Sequence, residues 1–221
     1  MLDHFFTHHG VGEKYACLTA DNCVGQNKNN AVLQYLLYRV LAGLHDNIEL
    51  SFMIVGHTKF APDGYFGLIR RRYRRSNIYT YDDLVQTVID SSEHNDCQAA
   101  GNHETVNNSE QLIYRNWSTW LLKFFKKLPE ITSYRHFKIS KNKPGVVLLK
   151  KNIDAEESEV LLLKRDVPFG KNKAFRLPSK IKPSGLSLER QWYLHDKIRV
   201  HIPNDQDKDR TCPKPAKSKS K

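Results

Sequence analysis

The chain is constrained most by two short apolar runs set on either side of a segment with almost no polar face. Tyr15 to Ala20 (YACLTA) stops abruptly at Asp21-Asn22, and Ile48 to Val55 (IELSFMIV) stops at Gly56. Runs of this length and composition read as buried strands. Between them, AVLQYLLYRVLAG follows the amide cluster Asn27 to Asn30 and closes at Gly43, the pattern of a capped helix pressed hard against a sheet. His45-Asp46-Asn47 makes the turn back. Strand, helix and strand in that order imply parallel neighbours joined by a right-handed crossover. Their carboxyl ends then open on one edge, which is where α/β proteins hold ligands.

Beyond Gly56, HTKFAPDGYFG is a loop that turns into a helix near Asp63 or Gly64 and runs into RRRYRR at residues 70 to 75. A further helix is expected over Tyr79 to Asp90, starting near Thr80, followed by a flexible insertion at residues 91 to 109. Gln111 to Arg115 reads as a strand, and Trp117 to Leu128 as an amphipathic helix stopped by Pro129. Tyr134 to Ile139 and Val146 to Leu149 form a hairpin around KNKPG, with Glu159 to Lys164 as a third candidate strand. After Pro168 the chain is rich in Lys and Pro, with one helical island at Ser187 to Ile198. The expected organisation is a domain over residues 1–165, carrying the insertion, and a tail over 166–221 with a helix near 187–198. The fold class is α/β: a mixed sheet with flanking helices, then a small basic hairpin and helix region and a disordered end.

Charge narrows the partners. Thirty-five Lys and Arg face 24 Asp and Glu, a net +11 with His neutral, and the pI is near 9.4. That balance favours polyanions, nucleic acid first, over acidic small molecules. The four cysteines, Cys17, Cys23, Cys97 and Cys212, contain no CxxC pair and fit neither a zinc ribbon nor a disulfide framework. The opening MLDHFFTHHG is too polar for a secretory segment, and no stretch approaches the roughly 20 apolar residues of a membrane span. A nuclear or cytoplasmic address, with no secretion and no membrane partner, is expected.

Two acids and a histidine are the candidates for chemistry. Asp21 ends the first strand, and His57 and Asp63 follow the second. At adjacent strand ends, Asp21 and Asp63 would ligate Mg²⁺, with His57 orienting or deprotonating an attacking water, as phosphodiester chemistry requires. A plainer reading stands beside each: Asp21-Asn22 as a side-chain-capped turn, His57 as a strand-end hydrogen bond, Asp63 as a helix cap. Within GQNKNN, Gln26, Asn27 and Lys28 are candidates to meet a phosphate or a base edge, or to cap the helix. Arg70, Arg71, Arg72, Arg74 and Arg75, with Tyr73 among them, suit a phosphate track. A second basic stretch, from Lys123 to Lys151, includes Lys126, Lys127, Lys141 and Lys143 against a single acid, Glu130.

Taken together, DNCVGQNKNN, GHTKFAPD, FFKKLP, HFKISKNKPGVV and GLSLERQWYLHDKIR resemble a multi-copy animal family of unknown function derived from transposable elements. The family's core is similar to the RNase H-like fold of DDE transposases, in which three acids hold two Mg²⁺ ions. The resemblance implies that Asp21 matches the fourth-strand acid and Asp63 the last. It also implies an upstream strand bearing the first acid, for which this chain has no match, so it looks truncated at its N-terminus; Asp3 sits in a helical stretch instead. From this follow two alternatives: a DNA-binding protein with a degenerate Mg²⁺-dependent nuclease site, or a non-catalytic interaction module or non-functional fragment. An incomplete sheet would expose an edge open to self-association.

Overall fold

The computed structural model describes residues 1–54, 61–94, 97, 112–165, 177–182 and 184–218. His57 and most of the expected insertion lie outside the described residues. In chain order the elements are α1 (Leu2–His8), β1 (Tyr15–Ala20), α2 (Asn30–Leu41), β2 (Asn47–Phe52), α3 (Ala61–Tyr73), α4 (Tyr81–Ile89), α5 (Trp117–Leu121), β3 (His136–Ser140), β4 (Val146–Lys150), β5 (Ser158–Leu161), α6 (Leu188–Tyr193) and α7 (Asp205–Thr211). They fall into two compact units, one of Met1–Thr58 with Ile113–Ile181 and the other of Lys59–Leu112 with Lys182–Lys221.

The first unit is α/β. Its sheet has the order β1-β2-β3-β4-β5, with β1 and β2 parallel and every later pair antiparallel. The expected parallel pair and the hairpin are both present. Register carries one apolar row across the sheet, Leu18 opposite Leu50, Leu50 opposite Phe137 and Phe137 opposite Leu149. These residues face α2, in which every residue from Leu33 to Val40 is buried. That continuous burial explains why the helix has almost no polar stripe. The other face is polar: Glu49 pairs with Lys138 at 3.0 Å, and Ser51 meets His136 at 3.0 Å. Consequently β1 is not the fully buried strand its composition implies. Tyr15, Cys17 and Thr19 are exposed and alternate with half-buried Ala16, Leu18 and Ala20. Among the described residues β1 is also an edge strand, since Lys14 and Ala20 turn their carbonyls toward β2 and the alternate residues face outward.

Two expectations give way to tertiary pairing. The helix expected over Trp117 to Leu128 ends at Leu121, because the next residues cross to another segment: Lys126 N–H donates to Leu162 O at 2.7 Å, and Lys164 N–H to Phe124 O at 2.9 Å. Two amides of α2 clamp this crossing. Gln34 donates to Lys126 O at 3.0 Å, and Asn30 both accepts from Leu128 N–H at 2.7 Å and donates to its carbonyl at 3.2 Å. The strand expected at Gln111 to Arg115 reduces, among the described residues, to one bridge between Arg115 and Lys180. Gly145 of KNKPG has φ +78, and a Cβ there would lie 2.3 Å from that of Leu163, so only glycine fits the turn.

The second unit is helical. α4 carries a full capping box, Thr80 accepting from Asp83 N–H while the Asp83 carboxylate accepts from Thr80 N–H. Partial burial pushes the Asp83 carboxyl up, but the Tyr79 and Thr80 N–H groups it accepts from outweigh this and hold it below its ordinary value. α3 already runs from Ala61, so Asp63 lies inside its first turn rather than at the cap. The helical island at 187–198 appears as α6 continued by a π turn over Leu194–Ile198, and α7 follows it. Among the described residues no helix is long and apolar enough to cross a membrane.

Candidate functional site at the carboxyl edge of the parallel strands

The chain leaves β1 into a loop closed on itself. Gln26, Asn27 and Lys28 all donate backbone N–H groups to the carbonyl of Cys23, at 3.2, 2.8 and 3.1 Å. Asp21 Oδ1 accepts from Cys23 N–H at 3.1 Å and from the Asn27 side chain at 2.8 Å. Asn22 ties the two strands together, donating to the carbonyl of Met53 just past β2 and accepting from Lys28 Nζ at 2.9 Å. Asn29 then caps α2 by accepting from Val32 N–H at 3.1 Å. The amide richness of this loop thus has a structural use at nearly every position.

Lys28 is the unusual member. Only 4% of it is exposed, and its ammonium lies 5.2 Å from the centre of the Phe52 ring. Burial, and then the nearby positive charge of Arg135, push its pKa below the ordinary lysine value. Arg135 reaches this edge because β3 runs antiparallel to β2, and Phe52 N–H donates to the Arg135 carbonyl at 2.8 Å. Sequence reading placed Arg135 merely in the basic stretch; the topological cue was its position just ahead of a strand that pairs against β2.

Within the first unit this edge therefore holds the Asp21 carboxylate in a closed hydrogen-bond net, with the Lys28 ammonium bound to the neighbouring Asn22. Mg²⁺ is held by clustered oxygens, usually more than one of them anionic, with water completing the shell. Among the described residues no group of three His, Cys, Asp or Glu side chains is placed to hold a metal.

Asp63 is exposed and belongs to the second unit. That unit also carries the arginine run: Arg70, Arg71, Arg72, Arg74 and Arg75 are all exposed, and Arg72 donates to Asp90 at 3.0 Å. On the first unit Gln26, Lys126 and Lys127 are exposed. Lys141 is bound to Asp46 at 2.6 Å and Lys143 to Glu159, and each carboxylate partner raises the lysine pKa. A groove of about 460 Å³ lined by Asn116, Trp120, Lys123 and Pro178 includes none of the candidate residues except the stretch's Lys123.

Residues 8–156 match a family described as a Domain of unknown function (DUF7869). No curated protein and no solved structure matches the chain.

Proposed function

Since the chain belongs to the family of the domain of unknown function DUF7869, its role has to come from its own residues, and we propose that it binds nucleic acid through the phosphate backbone. The observation that carries this reading is the exposure of all five arginines of the run at Arg70 to Arg75, on and just beyond the end of α3. Five guanidiniums at a helix end make an electrostatic footprint for phosphates. Lys126 and Lys127 add exposed positive charge on the other unit. Descent from an RNase H-like transposase would account for an acid at the end of β1 in a parallel pair, and the use of Asp21 Oδ1 by Cys23 N–H and the Asn27 side chain favours a role in holding the loop over two-metal catalysis.

The test is binding of labelled duplex and single-stranded DNA across a salt series, with and without Mg²⁺, with the same samples run on gels for cleavage. Affinity is expected to fall linearly in log salt. Replacing Arg70, Arg71, Arg74 and Arg75 with glutamine should flatten the duplex slope by about 3.6, at about 0.9 per lost phosphate contact. An unchanged slope, or no binding at low salt, would sink the proposal. Mg²⁺-dependent cleavage abolished by Asp21→Asn would instead favour a catalytic edge. Sedimentation of the free chain in the same buffers reads self-association through the open edge of β1.

A further inference from the structure

α1 carries two imidazoles, His4 and His8, and a third, His9, caps its C-terminal end. His4 and His8 stand at i and i+4, the spacing that puts two side chains on one helix face. Their ring centres are 4.5 Å apart, and the His9 ring centre lies 5.8 Å from that of His4. His4 Nε2 is shut off from solvent and has no hydrogen-bond partner. An imidazole nitrogen left in that condition has given up its bond to water and gained none in return.

We propose that His4 and His8 form a binding site for a borderline transition-metal ion of the Ni²⁺, Zn²⁺ or Cu²⁺ class. Metal–nitrogen bonds of about 2.0–2.1 Å at a tetrahedral centre set two imidazole ring centres roughly 5 Å apart, close to the 4.5 Å separation of this pair. Imidazole suits these ions, whereas Mg²⁺ and Ca²⁺ demand oxygen, so the site is chemically separate from the one at the end of β1. No third protein ligand converges with the pair among the described residues, and water completes the coordination. Two ligands on consecutive turns also cross-link α1, a helix of only seven residues whose sole buried side chain is Phe6. Metal binding accordingly stabilises the helix as it forms the complex.

The experiment is calorimetric titration of the full chain with Ni²⁺ at pH 7.5, alongside His4→Ala and His8→Ala. One equivalent should bind to the parent chain. Disturbing even an outer partner of a metal ligand costs about tenfold in affinity, so each variant should bind at least roughly tenfold more weakly. Nuclear magnetic resonance of the unsubstituted chain gives a second reading that needs no variant: sub-stoichiometric Ni²⁺ should broaden the His4 and His8 ring signals first. A Ni²⁺ affinity in both variants equal to that of the parent chain, or broadening that begins at other histidines, would overturn the site.

Discussion

Phe125→Ala is expected to remove about 3–5 kcal/mol of stability, the range for emptying an aromatic position in a packed core. Phe125 has no exposed surface and lies where three parts of the first unit meet. Its N–H still follows the last turn of α5, bonding Leu121 O at 3.0 Å, while its backbone already bridges Leu163. On one side Lys126 is held by Leu162 and by Gln34 of α2; on the other, Lys164 reaches back to Phe124. The ring therefore sits beneath a crossing anchored at both ends by hydrogen bonds, and the surrounding backbone cannot close over the space it leaves. Urea unfolding should show a lower midpoint with an unchanged slope. A loss under about 1 kcal/mol would mean that the crossing relaxes freely and that its hydrogen bonds do not fix it.

That crossing also marks the limit of what the sequence made legible. β1, α2, β2 and the hairpin were readable because local pattern and tertiary role agree in them: apolar runs sit on the sheet, and a helix with no polar face lies against it. Trp117 to Leu128 is different. Its apolar spacing is truly helical, but the backbone groups from Phe124 to Lys126 find partners in Leu162 and Lys164, some forty residues on, and no local signal announces them. β1 misleads in the opposite direction. Cys17 and Thr19 are small and mildly apolar, so a strand half open to solvent reads like a buried one. At the candidate site, Asp21 was identifiable from its place after an apolar run. The burial of Lys28 beside it was not, because Lys28 is turned inward by a bond to Asn22 and the Arg135 charge that acts on it arrives by strand pairing. Side chains that a linear reading would give to a ligand, Asn27, Lys141 and Lys143 among them, have taken partners within the fold.

Arg39→Ala is expected to cost about 3 kcal/mol, combining the loss of hydrogen bonds from a charged donor with that of a desolvated cation–π contact. Arg39 is 6% exposed and sits in the last turn of α2. Its guanidinium donates to Tyr35 Oη at 2.9 Å and to His45 Nδ1 at 3.2 Å, and it lies 4.4 Å from the centre of the Phe6 ring. Tyr35 in turn donates to Asp3 at 2.9 Å, so α1 is docked on α2 through a continuous chain of polar contacts. Guanidinium only donates, which makes His45 Nδ1 an acceptor and requires the imidazole to be neutral. Burial first, and the Arg39 charge second, hold the His45 pKa below 6.5. In the unfolded chain the same imidazole takes up its proton near the ordinary value. As pH falls below that value the unfolded state therefore binds the extra proton, and stability drops until the folded-state pKa is passed. Urea midpoints at pH 7.5 and 5.0 should show this loss, and His45→Gln, which cannot titrate, should reduce it. Arg39→Ala tests both halves together. It should lower the midpoint at pH 7.5, and by removing the charge beside His45 it should narrow the gap between the two pH values. A midpoint that falls at pH 7.5 while the gap stays at its original width would show that Arg39 docks α1 without setting the protonation of His45.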